Sequence, residues 1–397
     1  MLIKKLTLKN FLSYGEEGKD ILLHDLNIII GANGSGKSNL LEAISLLRST
    51  PEKIALPVHG GGGVSEWLWK GGREIPEASI TALLSNPFKP LDYPSLRYMF
   101  NFTEVNKRFE ITEEVIEDEA PYDSSRDRSY FYYSHNRFST TINAKIGKNT
   151  RSRKLQREEI DPESSILAQR KEPDIYPEIT YLGNVFAKIK IYREWHFGVS
   201  CAVRESQDIG IGAEQLAENC QNLPLVINML RDNFSIRTQL QKYVQDIYDG
   251  AFDVDVKIDA GKATTVVVEK NMCSAIPAKR LSDGTLRYLC LLAILLNPTP
   301  PPLICIDEPE LGMHPDLINN LAKLLKEAST RTQIIVNTHS SLLLNAFSDA
   351  PEAVIICEKA NGSTSLNRLR EEDVAPLLKD HLLGDLWIRG DLGGNRW

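Results

Sequence analysis

Paired cysteines, long apolar runs and a surplus of positive charge are all missing from this sequence. The six cysteines (Cys201, Cys220, Cys273, Cys290, Cys305 and Cys357) are scattered without a C-x-x-C pair. That argues against a zinc site or a disulfide framework and for a reduced, cytosolic protein. The longest strongly apolar stretch, Leu289 to Leu296, is too short to cross a bilayer. "MLIKKLTLKN" lacks the apolar core of a secretory leader, so a cytoplasmic location and no membrane partner are expected. A formal net charge of −7 excludes a generally basic coat, while leaving room for a local basic patch. Neither an internal repeat nor a long heptad run is present, which disfavours an extended coiled coil. What remains is ordinary globular composition over 397 residues, enough for two domains or one large domain carrying an insertion.

The informative part begins at "ILLHDLNIIIG", whose Ile28-Ile29-Ile30 has the character of a buried parallel strand. "GANGSGKS", Gly31 to Ser38, follows at once and fits G-x-x-x-x-G-K-[ST] at each position. Leu40, Leu41, Ile44 and Leu47 then recur at helical spacing. Strand, glycine-rich turn and helix are the context in which this motif holds phosphate. Gly31, Gly34 and Gly36 let backbone N–H groups turn inward, and the helix N-terminus adds positive potential. Lys37 is expected to reach the β- and γ-phosphates of ATP, and Ser38 to ligate Mg²⁺. Asn33 is either a further phosphate contact or a cap on the turn, and Asn39 belongs to the same nucleotide-binding set.

"LICIDEPE" reads as a second buried strand ending in Asp307 and Glu308. An aspartate placed there supports the Mg²⁺ of a P-loop site, and a carboxylate after it can activate the attacking water. "TQIIVNTHS" is a third core strand ending in His339, at the strand end where α/β sites assemble; a γ-phosphate contact is expected. Between them lies "KRLSDGTLRYLCLLAILL". Ser282 is an N-cap in the ordinary way, Asp283 suits the first turn, and Leu286, Leu289, Cys290 and Ala293 follow with helical period.

GANGSGKS, LSDGT, CIDEPE and NTHS, in that order, together with the opening "IKKLTLKNFLSYGE", resemble the ABC-type ATPase heads of the SMC and RecF class. The resemblance covers residues 1–50 and 275–397 well and the middle loosely. It implies an α/β fold: an ABC-type P-loop ATPase head with a mixed core sheet, an N-terminal antiparallel β region and a helical and β insertion lobe. It also implies a homodimer or higher homo-oligomer that sandwiches two ATP molecules, with Ser282 and Gly284 of one copy completing the site of the other. The usual signature has Gly-Gly after the serine, and this chain has Asp283-Gly284; an acid beside a phosphate is tolerable only if it points away. Gln169 is the best match to the glutamine that links Mg²⁺ to the helical lobe, with an ordinary loop residue as the alternative. "EPELGMHP" and the C-terminal "HLLGDLWIRGDLGGNRW" are similar to stand-alone RecF-like and overcoming-lysogenization-defect (OLD) ATPases. Several of these belong to bacterial anti-phage systems and are encoded beside a second gene. The stretch after His339 is too short for the Toprim nuclease that follows the ATPase in OLD proteins, and it lacks an Asp-x-Asp pair, so no nuclease site is expected in this chain.

Three segments are expected: 1–77, the first part of the head; 78–274, an insertion and helical lobe; and 275–397, the second part of the head. "LRYMFNF" and "FYYS" suggest antiparallel sheet, residues 210–245 helix with a boundary at Pro224, and "FDVDVKID" with "KATTVVVEK" a hairpin around Gly261. Lys145, Lys148, Arg151, Arg153, Lys154 and Arg157 lie close together, as a DNA or RNA backbone contact or as a solvated loop. Three roles follow: a sensor controlling an effector nuclease or toxin in phage defence, a DNA-repair head, or the ATP-binding subunit of a transporter.

Overall fold

The computed structural model describes residues 2–72, 76–90, 93–121, 129–147, 149–210 and 212–394. Strands β1 (Ile3–Lys9), β2 (Lys19–Leu22) and β3 (Leu26–Ile30) open the chain, and the P-loop helix Lys37–Ser49 follows. Next come β4 (Ala78–Leu84), β5 (Leu96–Val105), β6 (Arg108–Asp118), β7 (Phe131–His135), β8 (Thr140–Ile146) and β9 (Asn149–Leu155). These pair in the order β2-β1-β4-β5-β6-β7-β8-β9, an antiparallel sheet that joins the N-terminal strands to the "LRYMFNF" and "FYYS" segments. Period-2 alternation explains it: along β5, Leu96, Tyr98, Phe100 and Phe102 are fully buried while the residues between them are half-exposed.

After β10 (Lys190–Tyr192) a small sheet forms from β11 (Gln207–Asp208), β12 (Ala251–Asp259), β13 (Lys262–Glu269) and β14 (Ile276–Pro277). Its β12–β13 hairpin turns at Ala260-Gly261, both with positive φ, as the sequence predicts. The helical stretch is less continuous than expected. Residues 212–222 are loop, Pro224 sits in the first turn of helix Leu223–Asp232, and the break falls at Asn233. The Asn233 side chain accepts from Ser235 N and Ile236 N and so starts helix Phe234–Gln245.

The core sheet runs β10-β15-β16-β3-β17-β18, with β15 (Leu303–Asp307), β16 (Gln333–Thr338), β17 (Val354–Ala360) and β18 (Ser363–Arg368). All pairings from β10 to β17 are parallel, and β18 is antiparallel at the edge. Both faces are covered, which is why these strands read as unbroken apolar runs. Ile29, Cys305 and Ile335 pack toward the P-loop helix and the large sheet. Ile28, Ile30, Ile304, Ile306, Ile334 and Val336 pack toward the helices Asp283–Leu295 and Asp316–Ser329. The ranges 1–77, 78–274 and 275–397 do not coincide with the sheets. Strand β1 pairs with β4 across residue 77, and β10, inside 78–274, lies beside β15 in the core. A three-residue strand carries no readable period, so the sequence hides this return.

One side chain ties the large sheet to the core. Gln333 is fully buried; its Oε1 accepts from Ile3 N (2.9 Å) and Leu2 N (3.2 Å), and its Nε2 donates to Ile3 O (2.8 Å) and His24 O (3.0 Å). Its replacement strands buried backbone groups of β1. Gln333→Ala is therefore expected to lower unfolding free energy by about 2–4 kcal/mol, read as a shifted urea midpoint. An unchanged midpoint would remove this amide from the account.

Candidate active site

Parallel pairing sets the C-terminal ends of β3, β16 and β15 side by side, with Thr338 opposite Ile30 and Asn337 opposite Asp307. Three predicted motifs leave from those ends. The P-loop wraps from β3 into helix Lys37–Ser49. Gly36 has φ of 109°, and a Cβ there would stand 2.2 Å from Thr364 Oγ1, so no other residue fits. Behind the loop, Thr364 Oγ1 donates to Ser35 O (2.7 Å) and is hydrogen-bonded to Ser13 Oγ (2.7 Å), while Asn39 Nδ2 donates to Ser13 Oγ (2.7 Å). Asn39 thus braces the loop through Ser13, while Asn33, Gly34 and Ser38 lie exposed on its outer side. Gly31 sits against the Cys357 carbonyl.

Lys37 is buried, and its ammonium donates to Gly31 O (2.8 Å) and Ala32 O (3.1 Å). Burial pushes its pKa down; Cys357, Asp307 and Glu308 oppose that. Burial also raises the Asp307 carboxyl, helped by Glu308 and opposed by Lys37. Glu308 adopts φ of 46°, rare for a residue with a Cβ, and its N–H donates to Asn337 O (2.9 Å). Its carboxylate lies 3.4 Å from His339 Nε2. Burial, then Lys37, lowers the His339 pKa, which keeps the imidazole neutral at pH 7. Glu310, held by Thr338 Oγ1, is pushed up by burial behind them.

The chemistry of this set suits a magnesium nucleotide. Ser38 offers a hydroxyl at the helix start and Asp307 a carboxylate that burial leaves short of counter-charge. Among the described residues no group of three or more His, Cys, Asp or Glu forms a metal cage; Mg²⁺ bound with a nucleotide needs only one or two protein ligands, the rest being phosphate and water.

Two further predicted groups are held by contacts of their own. Gln169 ends the short helix Ile166–Gln169, and its amide closes a local loop: Oε1 accepts from Asp161 N (3.1 Å), and Nε2 donates to Ser164 O (2.8 Å). The segment beside Asp307 is instead the one after β10, where Trp195 Nε1 donates to Asp307 O (2.9 Å) and Arg193 pairs with Glu42. Gln169 thus spends its amide on its own loop. Its loop follows no core strand, whereas "YREWHF" leaves β10, the neighbour of β15. The second group is the signature loop. Ser282 caps helix Asp283–Leu295, accepting from Thr285 N (3.1 Å). A Cβ on Gly284 would lie 2.3 Å from Gly312 O, so glycine is required where "ELGM" packs on the signature. Asp283 turns to Arg204.

Sequence reasoning missed Ser13, Thr364, Trp195, Arg204 and Arg287. Each acts through contacts distant in sequence; only "YREWHF", an aromatic-rich stretch after a short apolar run, carried a signal.

Residues 26–345 match the family model described as "AAA domain, putative AbiEii toxin, Type IV TA system". No curated protein matches. Among solved structures the chain is similar to an Smc head bound to the C-winged helix domain of ScpA, with 15% identity and a TM-score of 0.58, covering 94% of this chain and 100% of that one. It is also similar to the Smc head of Pyrococcus furiosus bound to the C-terminal domain of ScpA (16%, TM-score 0.56, 96% and 99% covered). The Pyrococcus yayanosii Smc head with a coiled coil and joint gives 12%, a TM-score of 0.54 and coverage of 96% and 99%. At these identities the likeness is one of fold. The chain belongs to this AAA-domain family, and its fold is that of the Smc ATPase heads.

Proposed function

We propose that the chain is a Mg-ATP switch: two copies close head to tail on two ATP molecules, and hydrolysis reopens them. The observation that carries this is the convergence of Lys37, Asp307, Glu308 and His339 at one edge of the core sheet. Lys37 leaves the loop carbonyls for the β- and γ-phosphates. Ser38 and Asp307 would hold Mg²⁺, which supplies charge neutralisation on those phosphates. Glu308 takes the proton of the attacking water, and His339, neutral and beside it, donates toward the γ-phosphate. Ser282 and Gly284 stand at the N-terminus of a thirteen-residue helix, a place suited to the partner's phosphate. Loss of the γ-phosphate removes contacts that span the two copies.

The switch serves as the regulatory subunit of an anti-phage system and controls an effector, a nuclease or toxin. The family description, which names a toxin of a toxin–antitoxin system, supports such a pairing, and an Smc head that binds ScpA supports a protein partner for a head of this fold. Nucleic acid is a second partner class. Lys145, Arg151, Arg153 and Lys154 are exposed on β8 and on β9, the edge of the large sheet. Lys148 lies outside the described residues.

Glu308→Gln should preserve ATP binding, lower kcat by at least about 100-fold, and trap a dimer by light scattering with Mg-ATP. Adding Ser282→Arg should abolish the mass increase; a mass indifferent to both changes sinks the sandwich. A second expectation concerns pH. The Asp307 pKa is raised in the folded state, so its favourable contribution is complete below the ordinary carboxylate value and lost as pH rises through the folded one. Asp307→Asn should therefore raise the melting temperature at pH 7 while hydrolysis falls. The gain should shrink toward pH 4; a lower melting point at pH 7 would contradict the burial argument. For the nucleic-acid reading, Arg151→Ala with Lys154→Ala should flatten the salt dependence of any duplex binding by about 1–2 in log–log slope, measured by fluorescence anisotropy.

A further inference from the structure

Arg204 is buried at the end of the short 3-10 helix Ala202–Arg204, far from the motifs in sequence. Its Nε donates to Phe197 O (2.8 Å), its Nη1 to Leu281 O (2.7 Å) and Ala278 O (3.0 Å), and its Nη2 to the Asp283 carboxylate. One guanidinium thus holds both sides of the signature loop and the end of the segment that follows β10. That segment begins at the other half-site. Trp195 donates to Asp307 O, and its ring stacks on Phe197 with centroids 5.8 Å apart and an interplanar angle of 21°. Over these two rings lies Arg287 of the signature helix, 5.3 Å and 5.5 Å from their centroids, and its Nη1 donates to Glu308 O (2.9 Å). A continuous set of contacts therefore runs from the Asp307-Glu308 backbone through Trp195, Arg287 and Phe197 to Arg204 and the signature loop.

We propose that Arg204 and Arg287 are positioning residues that couple the two functional faces of one protomer. The signature loop that a protomer offers to its partner's ATP is held in register by that protomer's own Asp307-Glu308 turn. This rests on the trans-site reading above. It also accounts for Asp283 where the usual signature has glycine. The carboxylate is the handle by which Arg204 grips the helix start, and the pair leaves the phosphate-facing side of Ser282 free of negative charge. Arg204 is buried while Asp283 stays open to solvent on its outer side, and charge-assisted hydrogen bonds from a buried guanidinium are strong enough to fix a loop. The planar fork of arginine, serving several acceptors at once, is a geometry that lysine cannot copy.

The test uses the full chain and four variants: Asp283→Asn, Arg204→Met, the two combined, and Arg204→Lys. Asp283 is exposed on its outer side, so Asp283→Asn keeps the fold measurable even if Arg204→Met unfolds. Asp283→Asn should lower kcat about tenfold while the Kd for a fluorescent ATP analogue stays within about twofold. The combined variant should lose no more than the worse single one, a coupling of about tenfold. Arg204→Lys should fail to restore kcat. Losses that multiply, or an analogue Kd that worsens in step with kcat, would overturn the proposal. Ser282→Arg serves as the control. If it leaves hydrolysis intact, the trans-site reading falls and the coupling with it. If it abolishes hydrolysis while Asp283→Asn turns over like the parent chain, the coupling alone is wrong.

Discussion

Parallel strands have all their C-terminal ends on one edge, and β3, β16 and β15 are adjacent and parallel. That single constraint gathers the P-loop, His339 and the Asp307-Glu308 pair, which come from opposite ends of the chain. It requires both faces of the sheet to be covered. The large antiparallel sheet packs on one face with the P-loop helix, and the signature helix with its neighbours on the other. The amide of Gln333, in the middle strand, extends the arrangement to β1.

Gathering these groups has an electrostatic consequence. Burial disfavours the charged form of Lys37 and of Asp307 alike. Their opposite charges only partly offset that. Glu308 adds a left-handed backbone at the same place, and such conformations persist where surrounding structure over-determines them. Here that structure is visible: Asn337 O accepts the Glu308 N–H, and Arg287 holds the Glu308 carbonyl. On the reading proposed above, a charged ligand would complete the region, which is how preorganised phosphoryl-transfer sites act.

The signature loop shows the same logic at a distance. Its capping serine and its close-packed Gly284 make an ordinary helix start when seen alone. Arg204 and the Trp195–Phe197 stack attach that start to the strand end beside it. A helix N-terminus becomes part of a switch only when its position depends on another site.

The sequence alone determined the P-loop, the paired acids, the histidine-ending strand and the family, because each is a contiguous stretch whose chemistry and flanks are local. Continuous apolar runs at Ile28–Ile30 and Leu303–Ile306 announced buried parallel strands for the same reason. Alternation along β5 and the aromatic run of β7 made the antiparallel region legible, whereas the acidic run of β6 reads as a solvated face and only pairing with β5 and β7 makes it a strand. What tertiary structure decided was everything carried by short or irregular segments. Strand β10 has three residues and no period, so its pairing with β15, and with it the placement of Trp195 rather than Gln169 beside Asp307, follows from packing alone. The partners of Asp283 and Gly36 were hidden likewise: Arg204 and Thr364 lie far away in sequence, and a hydrogen bond between distant residues leaves no periodic trace in either of the segments that make it.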